Sequence, residues 1–198
     1  MIPVEILKRY GSQEVELDKE EVLFREGDAP LHYFQIVTGS IKMVNYSYDG
    51  QEFIQGIFED NESFGEPPLF ADFRYPSDAI AIKDTVLIKL RKESFLQLLK
   101  DNFDIHLKFS EVFAKRLKYK SMVLKEISSY APDHRLITLI KYFKAHSEAP
   151  KHEKFLVPYT RQQLADMTGL RVETVIRTVS KLKEEGKVSV IKHKIYLN

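Results

Sequence analysis

The chain of 198 residues is 43% hydrophobic and 30% charged, with a formal charge of +1; this is the composition of a globular protein with room for one large domain or two small ones. The absence of cysteine excludes disulfides, thiolate-held iron–sulfur clusters and Cys-ligated zinc, and no apolar run approaches the roughly eighteen residues of a membrane span. Residues 1–131 hold 17 Lys and Arg against 22 Asp and Glu, whereas residues 132–198 hold 13 against 7. An acidic body followed by a basic last third predicts two domains, the second facing a polyanion. The opening MIPVEILKRY lacks the apolar core of a secretory leader, so the expected compartment is the cytoplasm.

Residues 13–97 read as β structure. The runs EVELD, EVLF, LHYFQIV, SIKMVNYS, QEFIQGIF, AIAIK and TVLIKLR are rich in β-branched and aromatic residues at sandwich or barrel spacing. Turn signals separate them at Gly27-Asp28, Gly39-Ser40, Asp49-Gly50 and Asp60-Asn61. Asp49-Gly50 predicts a two-residue hairpin turn with both φ angles positive. A β-roll of this kind could host metal chemistry, but that requires two or three His and a carboxylate pointing inward. The strands offer only His32, and His106 is equally isolated; neither an enzyme nor a metal site is expected.

From Asn102 to about Ser129 there is neither Pro nor Gly, which predicts one long helix over 101–130. Phe113, Leu117, Leu124 and Ile127 fall at four-then-three spacing, with Lys120 interrupting the stripe. That face either packs on the chain's own β domain or pairs with the same helix of a second copy; homodimerisation is the favoured expectation. Ala131-Pro132-Asp133 breaks the helix and starts another, which puts the hinge at 129–132. DHRLITLIKYFKAH then places Leu136, Ile140 and Phe143 on one face. HSEAPKHEK (146–154) reads as a loop, and FLVPY as a short strand or extended entry.

Residues 160–182, TRQQLADMTGLRVETVIRTVSKL, meet the constraints of a helix-turn-helix. Thr160 N-caps a helix through Met167, Ala165 is small at the crossing, and Gly169 can take the left-handed turn conformation. The second helix runs from about Arg171 to Glu185, with Val175 facing back toward Leu164 and Leu170. GKVSVIKHKIYL supplies two short strands as a wing. Arg171, Val172, Glu173, Thr174, Ile176, Arg177 and Lys181 fall in the reading helix. Arginine can grip guanine with two hydrogen bonds and a carboxylate can accept from cytosine; Glu173 and Arg177, four apart, can brace each other. Thr160, Arg161, Gln162 and Lys181 are placed for phosphates. A winged helix used only for protein docking is the weaker alternative.

A β-roll, a long helix and a winged helix carrying VETVIRTVSKL, together with the REGD turn and the VTGSIK hairpin, resemble the CRP/FNR transcription regulators. The resemblance implies an α+β fold: an N-terminal double-stranded β-helix (a jelly roll like the cyclic-nucleotide-binding domain) over 1–100, a dimerisation helix over 101–130 and a winged helix-turn-helix over 131–198. It implies a homodimer on a palindromic operator, contact with RNA polymerase, and Glu173 and Arg177 reading a core G·C step. Val172 before Glu173 points to a TTGA-like half-site, from which Ile176 departs.

In nucleotide-binding members of the family the cassette is F-G-E-L-x-L followed by R-S/T-A. Gly65, Glu66 and Ser77 match it, as do Leu69 and Phe70. Pro76 stands where the phosphate-neutralising arginine belongs. Arg74 lies two residues upstream, roughly 6–7 Å away along an extended chain. A buried phosphate without its cation loses roughly 1.5–3 kcal/mol. Lys120 and Ser121 align with the adenine-contacting pair, so one of the two departs, and Asp78 adds negative charge beside the site. Lys120 is expected to pair internally, with Glu66 or Asp78, or to meet an acidic ligand. Cyclic AMP is therefore not the expected effector; a cyclic nucleotide in a rearranged cradle is the alternative. No cofactor is expected, and Pro3 is a remote candidate for a haem ligand.

Overall fold

Where a strand is covered on one face its apolar residues alternate with polar ones; where both faces are covered the run becomes continuously apolar. Both patterns occur here, and they sort the strands into two sheets. The computed structural model describes residues 1–147, 150 and 153–198 and divides into two units, Met1–Lys115 and Arg116–Asn198.

In the first unit a short helix α1 (Val4–Arg9) precedes strands β1 (Gln13–Leu17), β2 (Val22–Phe24), β3 (His32–Thr38), β4 (Ser40–Tyr46), β5 (Glu52–Glu59) and β6 (Ser63–Phe64). Helix α2 (Pro67–Ala71), strands β7 (Asp78–Ala81) and β8 (Thr85–Arg91), helix α3 (Lys92–Asp101) and the start of helix α4 (Phe103–Ser129) complete it. The strands form two antiparallel sheets in the orders β1-β8-β3-β6 and β2-β7-β4-β5, the jelly-roll arrangement expected.

One core holds Phe34, Ile36, Phe64 and Leu87 of the first sheet together with Phe24, Ile41, Ala79 and Ala81 of the second. The alternate residues Tyr33, Ile88 and Leu90 belong to another core with Leu7, Phe95, Leu98 and Phe109 of the helices. Strands β3 and β8 are therefore buried on both faces, which is why Tyr33 and Phe34, and Leu87 and Ile88, are apolar at successive positions. The chain start is tied to this layer. The Ile2 N–H donates to Gln35 Oε1 (3.0 Å), and Gln35 Nε2 donates to the Ile2 carbonyl (2.9 Å). Pro3 serves as the N-cap residue of α1, so the haem-ligand expectation finds it inside a structured backbone.

One turn differs from expectation. Strand β4 pairs with β5 out to Tyr46↔Glu52, so the hairpin loop is residues 47–51 rather than the two-residue Asp49-Gly50 turn. Only Gly50 there has positive φ. The loop is closed by Ser47, whose Oγ accepts from the Gln51 N–H (3.0 Å) and whose carbonyl accepts from the Gly50 N–H (2.9 Å).

The second unit contains the rest of α4, helix α5 (Pro132–Ala145), strand β9 (Phe155–Leu156), helices α6 (Arg161–Thr168) and α7 (Val172–Glu184), and strands β10 (Val188–Ile191) and β11 (Lys194–Leu197). Leu136 and Ile140 of α5, Leu164, Ala165 and Met167 of α6, and Val175, Val179 and Leu182 of α7 are buried in it. At the α4–α5 junction Glu126 Oε2 lies 2.6 Å from His134 Nδ1, and Tyr130 stacks on the His134 ring at 4.2 Å. Of the loop expected over 146–154, residues 148, 149, 151 and 152 lie outside the described residues.

Helix α4 forms as expected, and the four residues of its expected seam differ in exposure within the single chain. Phe113 packs edge-on to Phe70 (5.5 Å) and against Phe109 (6.1 Å) in the first unit. Ile127 lines a cleft with Met122, Leu139 and Met167 in the second. Leu117 and Leu124 are 68% and 69% exposed. At 100° per residue, Phe113 and Ile127 stand about 40° and 80° round the helix from Leu117, on the flank turned into their own units. Ala114 and Ser121 are exposed as well, so that Ala114, Leu117, Ser121 and Leu124 form an exposed stripe at three-four-three spacing.

Candidate nucleic-acid interface and effector cradle

The helix-turn-helix is built from local sequence. The Thr160 Oγ1 accepts from the Gln163 N–H (3.1 Å) while Gln163 Oε1 accepts from the Thr160 N–H (2.9 Å), a reciprocal cap that fixes the start of α6. Thr160→Ala is expected to cost about 1 kcal/mol and to lower the midpoint of a calorimetric melt by about 2–4 °C. Gly169 ends the helix at φ 64°, left-handed space that glycine enters without steric cost. The Leu170 N–H then returns to the Ala165 carbonyl (3.0 Å). Ala165 and Val175 have no exposed surface, as the close crossing of α6 and α7 requires.

On α7 the buried Val175, Thr178, Val179 and Leu182 define the inner face. Glu173 and Arg177 stand about 160° from Val175 on either side, so both point away from the core. The side chains of Arg171, Glu173 and Arg177 make neither hydrogen bond nor ion pair among the described residues; the mutual brace between Glu173 and Arg177 is not formed. Ile176 is exposed beside them, and Val172 and Thr174 are half-buried.

The residues assigned to phosphates are engaged inside the domain. Besides the Thr160 cap, Gln162 Nε2 donates to Asp166 Oδ1 (2.8 Å) and Arg161 Nη1 donates to the His193 carbonyl (3.0 Å). Lys181 Nζ lies 2.5 Å from Asp133 Oδ2. Asp166 is 3% exposed, a buried acid that periodicity alone did not mark. The wing turns on Lys192 and His193, both at positive φ (47° and 63°), between the paired Ile191 and Lys194; Arg161 thus clamps the wing tip to the start of α6.

The expected cradle residues differ sharply in burial and in the partners they hold. Gly65 has φ 71°, and a Cβ there would meet Phe24 at 3.1 Å and Tyr75 at 3.3 Å. The Tyr75 ring stacks on Phe24 with centroids 3.7 Å apart, and its hydroxyl reaches the His32 carbonyl at 3.4 Å. Burial raises the Tyr75 pKa, with Glu66 and Asp28 adding to it. Glu66 is fully buried and accepts from the Ser63 hydroxyl, and Ser77 is 2% exposed. Arg74 is exposed, donating from Nη1 to the Gly27 carbonyl (2.9 Å).

Asp78 does not simply repel an anion. Its Oδ1 accepts from the Glu26 N–H (2.7 Å), and Arg25 lies 3.9 Å from its other oxygen. Lys120 and Ser121 belong to the second unit. Both are exposed overall, although partial desolvation, and secondarily Arg116, lowers the Lys120 pKa. Among the described residues no group of three or more His, Asp or Glu could hold a metal ion, and no helix is long and apolar enough to cross a membrane.

Residues 14–102 match the cyclic nucleotide-binding domain family, and residues 134–198 match the Crp-like helix-turn-helix domain family. The chain is similar to the transcriptional activator protein anr of Pseudomonas aeruginosa, at 23% identity over 175 residues covering 87% of this chain and 71% of that one. It is 25% identical over 166 residues to the cyclic AMP receptor protein of Thermus thermophilus, covering 84% and 74%. In fold it resembles the c-di-GMP responsive global regulator CLP of Xanthomonas campestris, with a TM-score of 0.80 at 20% identity over 98% of this chain and 99% of that one. With a cyclic-nucleotide-binding fold at one end and a Crp-like reading head at the other, the chain belongs to the CRP/FNR family of transcription regulators; it is a DNA-binding regulator, not an enzyme.

Proposed function

We propose that this regulator works in the cytoplasm as a homodimer that reads a palindromic operator with Arg171, Glu173 and Arg177, and that cyclic AMP is not its effector. One observation carries the first part: Arg171 at the N-cap of α7 and Glu173 and Arg177 on its outer side are left without partners, whereas Thr160, Arg161, Gln162 and Lys181 are all engaged within their own domain. Unpaired charge on a helix held by its opposite face is what base reading needs. Val172, Thr174 and Ile176 border that face and tune which bases fit, a TTGA-like half-site being the starting expectation. Selection of bound sequences from a random duplex pool with the purified protein tests this; a palindrome is expected, and failure to enrich any sequence would overturn it.

Dimerisation rests on the exposed Leu117 and Leu124 of α4. RNA polymerase is the expected partner at the promoter, in keeping with family membership.

The effector reading rests on Tyr75 and Arg74. The aromatic ring lies beside the Gly65 backbone, and the cation nearest in sequence to the phosphate position is held outward on Gly27. Calorimetric titration with cyclic AMP is expected to show no binding at micromolar concentration. The rival reading, a cyclic nucleotide in a rearranged cradle, is favoured by the match of residues 14–102 to the nucleotide-binding domain; micromolar binding would establish it and overturn ours.

A further inference from the structure

Lys181 stands four residues after Arg177, about 40° round α7. When a helix lies in a major groove its central side chains meet bases and its flanks pass the phosphates, so Lys181 is placed on the backbone-facing flank. Its ammonium is nevertheless occupied: Asp133 Oδ2 lies at 2.5 Å and Glu185 Oε1 at 3.9 Å, while Glu185 is itself paired to Lys187 at 2.7 Å. Asp133 sits in the first turn of α5, where the helix dipole favours a carboxylate, and its Oδ1 accepts from the His134 N–H (2.9 Å). The side chains of Lys181 and Asp133 remain 56% and 34% exposed, so the pair can open at little cost. The hydrogen bond from Lys181 holds the Asp133 pKa low, and the same bond raises that of Lys181; both stay charged around neutral pH.

We propose that Asp133 is an intramolecular competitor of the DNA backbone, its carboxylate occupying Lys181 in place of a phosphate. The consequence is a weaker and less salt-dependent hold on DNA of any sequence than the basic residues of the domain imply. Base reading then makes up a larger share of binding. The inference rests on α7 being the DNA-facing helix, as proposed above.

The test uses the full-length protein and a random-sequence duplex, with affinity measured across a salt series. Asp133→Asn keeps an acceptor for the His134 N–H while removing the charge. It is expected to tighten binding and to steepen the slope of log K against log salt by roughly 1.8 for the dimer, the release of one more counterion per protomer. Its gain over wild type should shrink roughly twelvefold between 50 and 200 mM salt. Lys181→Met in the wild-type background should change little, and combining it with Asp133→Asn should abolish the gain.

A gain that persists in the double variant would reduce Asp133 to a distant negative charge and overturn the proposal. So would weaker binding by Asp133→Asn, which would make the pair a tie between α5 and α7 only, or a shallower slope from Lys181→Met alone, which would mean that Lys181 already contacts phosphate. Absence of any DNA binding by the wild type at low salt would instead remove the DNA-facing assignment of α7. A thermal melt of each variant confirms folding.

Discussion

Replacing both Leu117 and Leu124 by glutamate is expected to convert the protein into a 23.1 kDa monomer with its two units folded. The two leucines lie one heptad apart on α4, each more than two-thirds exposed in the single chain, so neither side chain supports the fold of its own unit. Burying a leucine contributes roughly 1.5–3 kcal/mol. Four of them at a two-fold interface supply a large part of what two helices need to offset the cost of association. Ala114 and Ser121 between them are small enough to let the helices approach. Glutamates facing their symmetry mates would add like-charge repulsion to the lost burial.

Sedimentation equilibrium reads the mass directly. Loss of the dimer should also weaken operator binding by roughly 10²–10⁴-fold, because the two half-sites are no longer engaged together. A double variant that still sediments as a dimer would move the interface elsewhere. Phe113→Glu provides the contrast: Phe113 packs on Phe70 and Phe109, so it is expected to destabilise the first unit.

The seam shows how far sequence pattern carries. The long helix was legible because nothing between Asn102 and Ser129 interrupts it, but a wide apolar arc does not say which part faces inward. Phe113 and Ile127 differ from Leu117 by a modest rotation, and only the packing of Phe70, Leu139 and Met167 decides their side. The helix-turn-helix was legible almost to the residue, since Thr160, Gly169 and the alternation of Val175 and Val179 act within one or two turns of themselves.

Long-range pairings were hidden for the opposite reason. Asp78 is satisfied by the Glu26 N–H, 52 residues away in sequence, and Lys181 by Asp133, 48 residues away. Neither separation leaves a periodic trace. Tyr75 lies in the loop between Arg74 and Pro76, where no periodic pattern marks it, yet its ring joins the core of the roll.

Arg177→Ala is expected to lower affinity for the selected operator far more than affinity for random DNA. A bidentate arginine–guanine contact discriminates against a wrong base by about 1–3 kcal/mol, and a palindrome contains the contact twice, so the operator should lose roughly 30- to 10⁴-fold. Random duplex, held through phosphates, should lose only the share of one cation per protomer, with the salt slope falling by about 1.8. Arg177→Lys separates charge from geometry: lysine keeps the cation but not the planar fork, so binding to random DNA should be retained while operator preference falls. Glu173→Gln should relax selectivity at the neighbouring base without removing affinity, because an amide can donate as well as accept. Competition binding with operator and scrambled duplexes in one buffer measures all three. An equal loss on both duplexes from Arg177→Ala would show that this side chain only neutralises charge, and sequence reading would then have to come from Arg171 or from the deformability of the duplex.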